Sequence, residues 1–236
     1  MRRFSVFLLT LPLIFFTLGT ANALTLQNVE GEWHDVVGGT NINLSVPQPD
    51  NNVEVRWGNP LGAEQSGLGF TGSAPPNIIF NPGDVFQVGE LEHFNNVIST
   101  GTAAESADLT IDLNFILGDG SFTFTFLIDE TPNGPGPPAS DDIISFPESV
   151  PDQTIELGSI EYTLELLGFT ELDTQPGPGN PLVDLFVSPE GGTNDAFIWA
   201  RMIEPSEAVP EPATLLLVGS GLIGLAGLGR KKFLKK

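Results

Sequence analysis

Thirty aspartates and glutamates, two histidines and no cysteine are the groups in this chain from which chemistry could be built. Without a thiol there is no cysteine nucleophile. A Ser-His-acid triad would have to use His34 or His93, and no Gly-x-Ser-x-Gly elbow presents a serine. Neither histidine has a second nitrogen or sulfur ligand at metal-binding spacing, so zinc is poorly supplied. Each is expected to be a structural histidine, with its ring nitrogens satisfied by nearby loop backbone. Carboxylates are plentiful enough for a glycosidase-type acid and base. With thirty of them, however, some pair falls at almost any separation, and nothing singles one out. The chain is expected not to be an enzyme.

Oxygen ligation is the better-supplied chemistry. Asp129-Glu130, Asp141-Asp142 and Asp119 fall at strand ends or in loops, where carboxylates converge with backbone carbonyls on calcium. Asp129, Glu130, Asp141 and Asp142 are therefore the candidate ligands. EF-hand spacing and Gly-Asp nonapeptide repeats are absent, and a solvated acidic face accounts for the same residues without a cofactor. Trp33, Trp57 and Trp199 would suit a sugar-binding platform if exposed, but each lies in or beside an apolar strand, which favours burial. Arg56 and Arg201, rare cations among acids, are expected to pair with carboxylates.

The elements that must position these residues are strands. Leu109, Ile111, Leu113 and Phe115 alternate with Asp108, Thr110, Asp112 and Asn114; Phe122, Phe124, Phe126 and Ile128 alternate with Thr123 and Thr125. Gly118-Asp119-Gly120 predicts the hairpin turn between them. Leu24–Val29, Asn52–Trp57 and Asp84–Val88 alternate in the same way. Thr154–Leu157 and Ile160–Leu166 flank a Gly158-Ser159 turn, and Leu182–Val187 and Ala196–Ile203 complete the set. The Pro- and Gly-rich stretch 131–140 reads as a surface loop within one domain. Many short strands with Gly/Pro turns predict an all-β fold, a single jelly-roll-like β-sandwich over residues 24–204. About 185 residues between the two ends suffice for one sizeable core, which must hold without disulfides.

The two ends have a different character. Residues 1–23 carry Arg2 and Arg3, an apolar run, and Ala21-Asn22-Ala23, the small-x-small pattern that signal peptidase accepts; cleavage is expected after Ala23. An acidic linker at 205–212 ends in Val209-Pro210-Glu211-Pro212. A charge-free apolar run at 213–229 follows, which as a transmembrane helix would span about 25 Å. Residues 230–236 are basic, with Arg230, Lys231 and Lys232 placed to stop transfer and remain cytoplasmic. Seven of the nine cations lie in residues 1–23 and 230–236, and none of the acids do. Residues 24–229 therefore carry two cations against thirty acids, a formal charge of −28. Such a surface repels nucleic acid and anionic lipid and attracts divalent cations diffusely.

The ordered tail resembles the PEP-CTERM sorting signal of Gram-negative bacterial surface proteins; an ordinary C-terminal anchor is the plainer reading of the same residues. The resemblance implies recognition and processing by an exosortase, transient anchoring in the inner membrane, then a cell-surface or matrix location. The body, from Gly31 to Met202, resembles the choice-of-anchor K domain. That likeness rests on Gly31-Glu32-Trp33, on Val55-Arg56-Trp57-Gly58 with Ser66-Gly67-Leu68-Gly69-Phe70, and on Phe86 through Asn95. It extends through Glu130-Thr131-Pro132-Asn133 and Tyr162 through Phe169. By resemblance, proteins with such tails accompany exopolysaccharide and biofilm, which implies a structural or adhesive role with extracellular polysaccharide as partner. A glycan-binding module, calcium-assisted or not, is the alternative reading, and a polysaccharide-active enzyme the weaker one.

Overall fold

Period-two alternation becomes strand throughout the computed structural model, which describes residues 23–45, 52–73, 77–131, 140–147 and 153–204. Thirteen strands and no helix occur among these residues. The expected signal peptide, apart from Ala23, lies outside them. So do most of the Pro-rich loop, the linker beyond Glu204, the apolar run and the basic tail.

The first sheet has strand order β12–β9–β8–β7–β1–β5. Its members are β1 (Leu24–Gly38), β5 (Ile78–Phe80), β7 (Ala104–Phe115), β8 (Gly118–Asp129), β9 (Asp142–Ser145) and β12 (Leu185–Ser188). The second has order β10–β11–β13–β6–β4–β3–β2. It holds β2 (Asn43–Leu44), β3 (Asn52–Trp57), β4 (Ser66–Gly72), β6 (Val85–Asn95), β10 (Gln153–Leu157), β11 (Ile160–Thr170) and β13 (Gly192–Ile203). Every neighbouring pair is antiparallel.

One face of each sheet is apolar, and the two faces share one core cluster. Leu109, Ile111, Leu113, Phe122, Phe124 and Phe126 of the first sheet meet Val55, Leu68, Phe70, Leu91, Tyr162 and Ile198 of the second. Two glycines set how closely β1 and β4 approach. A Cβ on Gly31 would lie 2.4 Å from the Phe70 ring, and one on Gly72 would lie 1.9 Å from the Val29 carbonyl oxygen. Glycine lets the strands approach this closely without displacing either neighbour.

Two expectations shift. The β7–β8 turn falls at Ile116-Leu117, with Phe115 paired to Gly118, so Gly118-Asp119-Gly120 opens β8 instead of forming the turn. Gly120 is needed within the strand, because a Cβ there would lie 2.6 Å from Ile155 of the overlying β10. The first strand is also far longer than Leu24–Val29. It continues to Gly38 through irregular register around His34–Val37, where Asp35 takes a positive φ of 45°. Such a bulge interrupts the alternation that marks a strand in sequence.

Candidate functional site

At one end of the body the inner face of the second sheet changes from apolar to polar. Trp57 closes β3 and pairs with Ser66, which opens β4. His93 and Asn95 lie at the end of β6 and point the same way, all four being buried. Above them the first sheet contributes Glu130, just after β8, Asp142 at the start of β9, and Ser188 at the end of β12 directly opposite Asp142. Glu190 follows two residues later in the bend before β13.

Specific bonds join these groups. Trp57 Nε1 donates to Glu130 Oε2 at 2.9 Å, and the Thr131 backbone N–H donates to Asp142 Oδ1 at 2.7 Å. His93 Nδ1 and Ser188 Oγ are 2.7 Å apart, and Asn95 Nδ2 donates to the Ser188 carbonyl at 2.8 Å. The charges are less well served. Burial pushes the Asp142 carboxyl up to about 7; the Thr131 N–H pulls the other way, and the Glu130 and Glu190 charges add to the rise. Burial likewise raises Glu130, against the bond from Trp57 and the nearby Ser66 hydroxyl, and it raises Glu190. His93 is pushed down to about 3 by burial alone and is neutral at physiological pH.

The buried side-chain atoms without a hydrogen-bond partner fall in this same region. They are Ser66 Oγ, Glu130 Oε1, Ser140 Oγ, Asp141 Oδ1, Asp142 Oδ2, both Glu190 oxygens and His93 Nε2, seven oxygens and one nitrogen. Buried polar atoms are normally paired with protein or with ordered water or ions, so such a concentration requires a cause. A small cleft of about 80 Å³, lined by Ile98, Ser99, Gly101, Glu130 and Thr131, reaches Glu130 from outside.

Of the four calcium candidates, Glu130 and Asp142 come together and Asp141 sits beside them, whereas Asp129 is exposed. Asp119 lies in the β7–β8 hairpin, away from the cluster. The sequence reading missed Glu190, Ser66 and Ser140. Glu190 precedes two glycines and reads there as a turn, and serines carry no spacing signal. His93 is a strand residue bonded to a serine hydroxyl from the opposite sheet, not to loop backbone.

Elsewhere, ligand atoms of His34, Asp35 and Asp108 lie within 4.8 Å of one another. Both His34 nitrogens are already engaged there, Nδ1 with Asp35 at 2.9 Å and Nε2 with the Thr110 hydroxyl at 2.8 Å. The three tryptophans are buried with their N–H groups spent on Val53, Glu130 and Thr170. Trp199 lines a groove of about 640 Å³ with Phe80, Asp84, Gln87 and Gln175, but is itself only 3% exposed. Arg56 pairs with Glu54 and lies 3.2 Å above the Phe94 ring, and Arg201 pairs with Glu165.

Ala23 is exposed and Leu24, the next residue, is fully buried in β1. Ala21, the Val209–Pro212 motif and Arg230, Lys231 and Lys232 lie outside the described residues. Among the described residues no helix is long and apolar enough to cross a membrane. Residues 208–231 match the PEP-CTERM protein-sorting motif. No curated protein matches the chain. The matched motif implies export, with processing by an exosortase at the membrane.

Proposed function

We propose that this chain is a surface or extracellular-matrix protein with a structural or adhesive role in exopolysaccharide or biofilm, and that it is not an enzyme. The sorting motif at 208–231 carries the reading, because it implies export and processing at the membrane. In this reading residues 24–204 form a sandwich of choice-of-anchor K type, 205–212 tether it, 213–229 span the inner membrane and 230–236 hold the tail in the cytoplasm until processing. A formal charge of −28 on the exported part suits a hydrated matrix and rejects nucleic acid.

Two observations favour a non-catalytic body. Asp142, whose carboxyl is pushed up most, is buried, and the cleft beside the half-buried Glu130, about 80 Å³, takes a few water molecules but not a sugar ring. The larger groove beside Trp199 has a single carboxylate, Asp84, in its lining. The glycan-binding alternative required an exposed aromatic row. The tryptophans are buried, so nothing specific favours it.

The test compares the producing strain with one lacking this chain, scoring surface adhesion and the fraction of the chain that sediments with the strain's own polysaccharide. Reduced adhesion with matrix-bound protein is expected. Unchanged adhesion, with the protein free in the medium, would overturn the proposal.

A further inference from the structure

We infer that Glu130, Asp142 and Glu190, with Asp141 and the hydroxyls of Ser66 and Ser140, form a calcium site that pins the two sheets together at one end of the body. These six side chains own all seven buried oxygens without a hydrogen-bond partner among the described residues, five of them carboxylate oxygens. Asp142, Ser66 and Ser140 are at most 1% exposed, so water does not substitute for the missing partner in bulk. Five unpartnered carboxylate oxygens at one place suit a cation. Oxygen-only ligation selects a hard divalent ion, and calcium takes 6–8 oxygens in flexible geometry, whereas magnesium keeps its waters and zinc prefers nitrogen or sulfur.

The carboxylates come from the chain after β8, from the start of β9 and from the bend after β12, whereas Ser66 opens β4 of the other sheet. An ion here would cross-link both sheets. In the ion-free geometry the three carboxylates do not all bring an oxygen within 4.8 Å of one another, so binding requires the side chains to close. Glu130 and Glu190 sit outside regular strand, and their side chains can close on the fixed Asp142. Among the described residues both arginines pair elsewhere, Arg56 with Glu54 and Arg201 with Glu165, so no cation of the protein serves these three carboxylates.

The site lies far from the tether. β13 runs from Gly192, beside Asn95 at the cluster, to Ile203, beside Thr163 at the other end. At about 3.3 Å per residue this places the cluster roughly 36 Å from where the chain leaves toward the sorting tail. The ion would be taken up from the exterior, independently of whatever the surface role proves to be.

The experiment uses the full chain purified in detergent, stripped with chelator and titrated at pH 7.5 with CaCl₂ or MgCl₂, followed by calorimetry and thermal unfolding. We expect saturable calcium binding near one ion per chain and a rise in Tm of about 10 °C at saturation, reversed by chelator, with a much smaller response to magnesium. Asp142→Asn should abolish the calcium shift while leaving the chelated protein at least as stable as the unsubstituted chain, because a buried charge has been removed. Glu190→Gln, at a half-buried bend, provides the same test if the first variant does not fold. Asp108→Asn makes an equal charge change in the rival His34 set and should leave the response intact. Absence of a saturable calcium heat, an equal response in the Asp142 and Glu190 variants, or loss of the response only in the Asp108 variant would each overturn the site.

Discussion

The Trp57 indole reaches across the gap between the sheets and donates to Glu130 Oε2 at 2.9 Å, its ring being fully buried. One sheet thereby supplies the donor for a buried carboxylate of the other. Trp57→Phe keeps an aromatic ring but leaves that oxygen unpaired, which should destabilise the protein by about 2–3 kcal/mol, mostly the cost of an orphaned charged acceptor. Urea unfolding measures it. Replacing Glu130 by Gln in the same background should recover part of the loss, and an unchanged midpoint in Trp57→Phe would show that Glu130 is satisfied elsewhere.

The pH dependence of the ion-free protein should run opposite to that of a protein held by salt bridges. Asp142 rises from an ordinary 3.8 to about 7 on folding, and Glu130, Glu190, Glu90 and Glu92 are also raised, burial being the first cause in each. A raised carboxyl binds its proton more tightly folded than unfolded. The contribution of Asp142 is complete below about pH 4 and is lost as pH climbs through about 7. For the buried Asp142 alone the difference amounts to about 4 kcal/mol as an upper bound. Urea midpoints in chelator should therefore fall between pH 5 and pH 8. Self-repulsion of the acidic surface acts in the same direction, so Asp142→Asn is the control, and it should flatten the curve.

The strands were legible where one face is apolar and the other polar, as in Ala107–Phe115, because burial on one side writes period two into the chain. They were illegible where glycine or a bulge breaks the period. β4 reads Ser66-Gly67-Leu68-Gly69-Phe70 and has no polar face to show, and β1 past Val29 passes through irregular register. The polar cluster was half legible. Asp142 and Glu130 stand at strand ends, where acidic ligands are expected. Glu190 joins them only because Ser188 pairs opposite Asp142, a register fixed by β9 and β12 about 45 positions apart in the chain. The sorting motif at 208–231 was legible, since a sorting signal acts through linear order and needs no fold.

Close approach of the sheets makes two glycines unequal in a testable way. A methyl at Gly72 meets the Val29 backbone carbonyl at 1.9 Å, which cannot yield without moving β1; one at Gly31 meets the Phe70 ring at 2.4 Å, which can tilt at some cost. Both substitutions to Ala should destabilise, Gly31→Ala by about 1–3 kcal/mol and Gly72→Ala by more. Phe70→Leu should partly relieve the first and leave the second unchanged in a double-mutant cycle. Equal losses at the two positions would mean that the sheets are not held as closely as this packing requires.

The sorting tail permits the most direct test, because its motif is short and separable from the fold. β13 ends at Ile203 and Glu204 accepts a bond from the Tyr162 hydroxyl, so five residues, 205–209, separate the anchored body from Pro210. Extended, five residues would reach no more than about 18 Å, so in the proposed reading the folded body stays close to the membrane until processing. Replacing Pro210 and Pro212 by Ala changes neither the apolar run nor the basic end, so insertion and stop-transfer at Arg230, Lys231 and Lys232 should proceed. What should fail is processing. The full-length form is expected to accumulate in the inner membrane, visible as a larger species on fractionation and immunoblotting, with the matrix pool reduced at least several-fold. Removing the basic end instead should disturb retention before processing, a different phenotype from the same tail. If the proline variant is processed and released as the unaltered chain is, the tail is an ordinary anchor.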